Sequence, residues 1–67
     1  MQWTLKMLRV KENLSQKQAG DIFSVSPETW SNWERGKTTP DVKTAYKIAE
    51  HFNVSLDDII FLDTFAV

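Results

Sequence analysis

Apolar residues recur along the chain at three- and four-residue intervals, the spacing of one helix face, and the pattern is broken repeatedly by residues that cap helices. Leu5 and Leu8, with Arg9 and Glu12 following, predict a first helix over roughly residues 4–12, and Asn13 can take the left-handed conformation that ends it. Ser15 is a suitable N-cap, its hydroxyl accepting from amides of the next turn, for a helix over about 16–23. Ser26 followed by Pro27 is an N-cap with proline at the first helical position, where no amide hydrogen is missed; it opens a helix of about 27–34 that Gly36 ends. Asp41 caps a fourth, about 42–52, whose Val42, Ala45, Ile48, Ala49 and Phe52 fall on one face, and Asn53 closes it. Ser55 and Asp58 resemble a capping box with Asp in place of Glu, starting a short fifth helix to about Leu62. The expectation is one compact all-α domain, a bundle of five short helices without strands; the pattern leaves Asp63–Val67 undecided.

Sixty-seven residues suffice for a single domain, and a chain of that size buries only about 60% of its unfolded surface, so helix ends matter as much as the core. The chain has no cysteine, which excludes a disulfide framework and thiolate metal sites. No apolar run approaches the roughly 20 residues that span a bilayer, and no signal-peptide pattern opens the chain, so a soluble cytoplasmic protein is expected. The net charge of −1 argues weakly against a polyanionic partner, but its distribution does not. All eight basic residues lie within residues 1–47 beside five acids, whereas residues 48–67 carry four acids and no lysine or arginine. Local field, rather than net charge, steers a charged partner.

Helices 16–23 and 27–34 are joined by only Ser24-Val25-Ser26, a connection that holds the second helix out from a bundle. From Leu5 to Ile60 the chain resembles the Cro and phage-repressor type (lambda-repressor-like) helix-turn-helix domain. The resemblance is carried by Leu8-Arg9, Leu14-Ser15-Gln16, Val25-Ser26, the run WERGKTTPD (Trp33–Asp41), the run KIAEHFNVSLDDII (Lys47–Ile60), and the spacing between them. It implies a sequence-specific regulator of transcription, of the phage or prophage repressor type in a bacterial host cell, that binds double-stranded DNA. The helix equivalent to 27–34 would lie in the major groove and the preceding helix across the backbone. The base-reading positions would be Pro27, Glu28, Ser31 and Asn32. Asn32 can make paired hydrogen bonds to adenine, Glu28 can accept from the cytosine amino group, Ser31 can do either, and Pro27 offers apolar contact. A competing role for Glu28 is to complement the positive end of its helix.

The resemblance assigns phosphate binding to Gln16, at a helix start where free amides favour an anion, and to the loop Lys37, Thr38 and Thr39. Lys17 and Lys43 are further candidates, while Lys6, Lys11 and Lys47 have only their charge to suggest one. Arg9 and Glu34 are expected to pair and so set the docking angle of the second helix. Trp30 and Trp33 could stack on single-stranded bases, yet their spacing puts both opposite Glu28 and Asn32, where they serve the core. Two positions depart from the family: Ser24 stands where a glycine is usual, and Ala19-Gly20 replaces the usual leucine-alanine pair. His51 has no partner set for a metal, Asp57-Asp58 match ordinary charge placement at a helix start, and no nucleophile–base pairing suggests catalysis; neither cofactor nor metal is expected. Domains of this type bind as dimers to paired half-sites about one turn, ~34 Å, apart. The leftover apolar residues Ile60, Phe61, Phe65 and Val67 are the candidate dimer surface. The alternatives are the DNA-binding half of a longer repressor or antitoxin, and a helical protein-interaction module that no longer binds DNA.

Overall fold

The computed structural model describes residues 2–61, and within them a short strand, β1 (Trp3–Thr4), leads into four helices: α1 (Leu5–Lys11), α2 (Gln16–Ile22), α3 (Pro27–Glu34) and α4 (Val42–His51). A single 3-10 turn (Leu56–Asp58) and a second strand, β2 (Ile59–Ile60), complete them. Two expectations are thereby corrected. There are four α-helices, not five, and there is a small parallel sheet in which Trp3 faces Ile59 and Thr4 faces Ile60. The expected fifth helix stops after one turn because its start is weak. Ser55 Oγ accepts from the Asp57 amide, and the reciprocal bond of a capping box is missing. The β-branched pair Ile59-Ile60 then gains more by pairing with β1 than by continuing a helix.

Every helix begins and ends in the same way. Thr4, Ser15, Ser26 and Asp41 each present a side-chain oxygen to the amide three residues on. Ser15 belongs to a complete capping box, since the Gln18 side chain accepts from the Ser15 amide at 2.8 Å. At the other end, Asn13, Ser24, Gly36 and Asn53 all have φ between 56° and 75°, each one residue past the helix cap. The next amide reaches back to the carbonyl five residues earlier: Leu14 to Arg9, Val25 to Gly20, Lys37 to Asn32, Val54 to Ala49. This is a Schellman ending repeated four times, and it satisfies carbonyls that a helix end otherwise leaves orphaned. Ser24 adopts it at φ 60° without the freedom of glycine, at a steric cost of about 1–2 kcal/mol.

The core joins Leu5 and Leu8 of α1, Ala19 of α2, Trp30 and Trp33 of α3, Ile48 and Ala49 of α4, Phe52 and Ile59. Trp30 is fully buried and stacked on Phe23, with ring centroids 5.6 Å apart, so neither it nor the buried Trp33 is available to stack on a base. Gly20 faces the turn so closely that a Cβ there would lie 2.7 Å from the Val25 carbonyl oxygen. One apolar position departs from the periodic pattern. Val42, at the first position of α4, is 70% exposed, although Ala45 three residues on is buried. Among the described residues, no helix is long and apolar enough to cross a membrane.

Two substitutions test this packing in urea unfolding. Gly20→Ala should destabilise the domain even though alanine favours helix by about 1 kcal/mol, because the turn cannot give way to the methyl group. A net stabilisation of that size would show the close approach to be unimportant. Trp30→Ala should cost about 3–5 kcal/mol, a large share of the roughly 5–15 kcal/mol typical of a whole domain.

Candidate nucleic-acid interface

Helix α3 has two faces of opposite character. Trp30, Trp33 and Glu34 turn inward, and Glu28, Ser31, Asn32 and Arg35 follow one another at three- and four-residue spacing along the other side. Pro27, Glu28 and Arg35 are exposed, whereas Ser31 and Asn32 are half-buried. Asn32 is thus less open than its position in the sequence suggests, and its side chain is engaged: Arg35 Nη2 donates to Asn32 Oδ1 at 2.6 Å. Arg35 is absent from the residues that the sequence singles out. The i, i+3 spacing to Asn32, with a cation at a helix C-terminus, is the signal that could have found it.

Beneath the helix, the Glu34 carboxylate collects donors from three elements. Arg9 Nε donates at 2.5 Å and Nη2 at 3.4 Å, Gln16 Nε2 at 3.2 Å, and the Trp30 indole N–H also points to it. The expected Arg9–Glu34 pair is therefore present, with side chains only 14% and 5% exposed, and Arg9 also donates to the Leu14 carbonyl at 2.8 Å. Gln16, expected at phosphate, is half-buried and spends one amide hydrogen on Glu34; a primary amide keeps a second to donate elsewhere. Burial pushes the Glu34 carboxyl up, but the hydrogen bonds from Arg9, Trp30 and Gln16, with the Arg9 charge, outweigh it and hold the group below its ordinary value of 4.5.

After α3 the chain enters an exposed loop. Lys37, Thr38 and Thr39 are all exposed. In the other three Schellman endings the residue after the left-handed position is apolar (Leu14, Val25, Val54) and packs against the core. Lys37 takes the same place after α3 and points its charge into solvent instead. Lys43 is exposed at the start of α4, and Lys17 is held by Asp21 at 3.1 Å, one turn along α2. His51 is exposed in the last turn of α4, edge-on to Phe23 and Phe52, with Nε2 3.8 Å from Glu12. Of the expected dimer residues, Ile60 is 37% exposed and Phe61 is half-buried against the core, while Phe65 and Val67 lie outside the described residues.

The Glu34 cluster makes a testable statement about pH. Because its folded pKa lies below the unfolded one, Glu34 contributes stability fully above about 4.5, and that contribution is lost as pH falls through the folded value. Asp41, held low chiefly by its hydrogen bond to Thr44, acts in the same direction. Thermal melts from pH 7 to pH 2 should thus fall on the acid side, and Glu34→Gln should flatten that limb while lowering stability at pH 7 by about 1–3 kcal/mol. An acid limb unchanged in Glu34→Gln would mean that other carboxylates carry it.

With this geometry in view, likeness to known proteins is informative. The family model described as Helix-turn-helix matches residues 5–59, the span from the start of α1 to the first residue of β2. Over 63 residues the chain is 38% identical to an uncharacterized HTH-type transcriptional regulator of Archaeoglobus fulgidus, covering 94% of this chain and 89% of the relative. A second such regulator, from Methanocaldococcus jannaschii, is 37% identical over 59 residues, 88% of this chain and 89% of the relative. A stretch of 34 residues, 51% of this chain, is 56% identical to the Type II methyltransferase M.MspI of Moraxella sp, of which it makes up only 8%. With a family match over most of its length and relatives covered nearly end to end, the chain belongs to the helix-turn-helix family.

Proposed function

We propose that the protein is a sequence-specific transcriptional regulator that binds double-stranded DNA through α2 and α3, with α3 in the major groove. The observation that carries this reading is the ending of α3. A position that packs an apolar residue at the other three helix ends is given to an exposed lysine beside an exposed arginine, directly after a polar stripe of Glu28, Ser31 and Asn32. Base reading falls to Pro27, Glu28, Ser31 and Asn32. Phosphate contact falls to Lys37, Thr38, Thr39, Lys43, Lys17 and the second amide hydrogen of Gln16, which Glu34 holds by the first. A domain bound over a promoter excludes polymerase without any further surface, which favours repression, as in phage and prophage repressors. Binding as a homodimer to paired half-sites fits the exposed Ile60 and neighbouring Phe61 at the end of the bundle.

Mobility of duplex DNA from a random pool, followed across a salt series, tests the reading. Affinity should fall steeply with salt, and the retained sequences should converge on a palindrome. No retention even at about 50 mM salt would refute DNA binding. Lys37→Ala should weaken all duplexes alike and reduce the log–log salt slope by about 0.9 for each site occupied, whereas Asn32→Ala should relax preference at one base pair per half-site. If both variants changed sequence preference equally, the division between loop and helix would be wrong.

A further inference from the structure

The sequence expects Asn32 to read adenine, but its surroundings favour a different base. We infer that Arg35 both orients the Asn32 amide and joins it in reading guanine. The inference rests on the DNA-binding function proposed above.

A guanidinium has donors and no acceptor, so the Asn32 group facing Arg35 Nη2 at 2.6 Å must be the oxygen, and the NH2 is turned the other way. Asn32 is anchored through its backbone as well, since its carbonyl accepts the Lys37 amide at 2.9 Å in the Schellman ending. Side chain and main chain are thus both tied to the two residues that carry the local positive charge. A paired contact to adenine needs the amide oxygen to accept from the adenine amino group while the nitrogen donates to N7. That oxygen keeps a second lone pair that an adenine amino group could use. The guanidinium bonded to it, however, would set its remaining N–H groups against that amino group, donor against donor, whereas at guanine they would meet acceptors. Beyond that bond, what the pair has left to offer is chiefly donors: the Asn32 NH2 and the remaining N–H groups of exposed Arg35. Guanine presents two acceptors, N7 and O6, on its major-groove edge and matches this arrangement; thymine presents only one.

The experiment compares affinities for duplexes that differ only at the base pair relaxed by Asn32→Ala, in the wild type, Arg35→Ala and Arg35→Lys. Arg35 is exposed at the helix cap, so the variants should fold, which thermal melts can verify. The wild type should prefer guanine to adenine by about tenfold or more, and Arg35→Ala should lower that ratio by about tenfold or invert it. Arg35→Lys, which can still donate to the amide oxygen, should retain part of the preference. A wild-type preference for adenine, or no base pair relaxed by Asn32→Ala, would overturn the inference. So would a guanine preference that survives Arg35→Ala while affinity for both duplexes falls together, since Arg35 would then serve only phosphate. Failure of the wild type to bind any duplex is a separate result, and it would remove the DNA-binding function itself.

Discussion

A single carboxylate organises the part of the molecule that matters for recognition. Glu34 lies at the end of α3, nearly out of solvent, and takes hydrogen bonds from Arg9 of α1, from Gln16 of α2 and from Trp30 one turn back in its own helix. A buried charge is tolerated only when it is paired and its lone pairs are filled, and this one is satisfied from three directions. Oil-like contacts alone would let a short helix of eight residues rotate or slide on the bundle, since apolar packing is non-directional. Hydrogen bonds to one carboxylate constrain both orientation and register. The angle at which α3 leaves the bundle is accordingly set by polar geometry, with Trp30 and Trp33 supplying the buried area beneath it.

The same carboxylate connects stability to contact chemistry. Gln16 stands at the first position of α2, next to amides that the helix leaves unpaired, and its side chain is held toward α3 by Glu34. Arg9 extends the network to the Leu14 carbonyl, in the turn that precedes α2. The elements expected to flank a DNA backbone are therefore fixed relative to the recognition helix before any partner arrives. Preorganisation of this kind lowers the ordering cost of binding.

Charge is distributed to suit two tasks. Helix α3 itself holds no lysine or arginine, and its outer stripe is polar and neutral or acidic until Arg35 at its cap. Exposed Lys37 and Lys43 follow in the loop and at the start of α4, where the attraction of a polyanion would not depend on base identity. The departure of Lys37 from the apolar rule of the other helix ends is the clearest local mark of this arrangement. Its apolar counterparts Leu14, Val25 and Val54 close the bundle, whereas Lys37 faces solvent.

Local chemistry made much of this legible beforehand. The N-caps Ser15, Ser26 and Asp41 and the helix-ending residues Asn13, Gly36 and Asn53 act on residues a few positions away, so composition and spacing alone indicated them. Ser24 and Gly20 stood out only against the family pattern, and the Thr4 cap emerged with the structure. The Arg9–Glu34 pair and the inward tryptophans came from the family resemblance and helical spacing, and both are present. Other features required the assembled chain. Ile59-Ile60 are suited to either a helix end or a strand, and the arrival of Trp3-Thr4 beside them decided for the strand. Val42 fits the apolar face of α4 by periodicity, yet among the described residues it stays 70% exposed. The Arg9 and Gln16 bonds to Glu34 depend on how three helices meet, whereas the Trp30 bond to Glu34 and the engagement of Asn32 by Arg35 are local and depend on side-chain rotamers that spacing permits but does not select. The sequence by itself determined closely where α1 to α4 start and stop, because those choices are settled within a few residues. That Arg9 and Gln16 both reach Glu34 only the tertiary structure decided, because hydrogen bonds need a partner brought to within about 3 Å in the right direction.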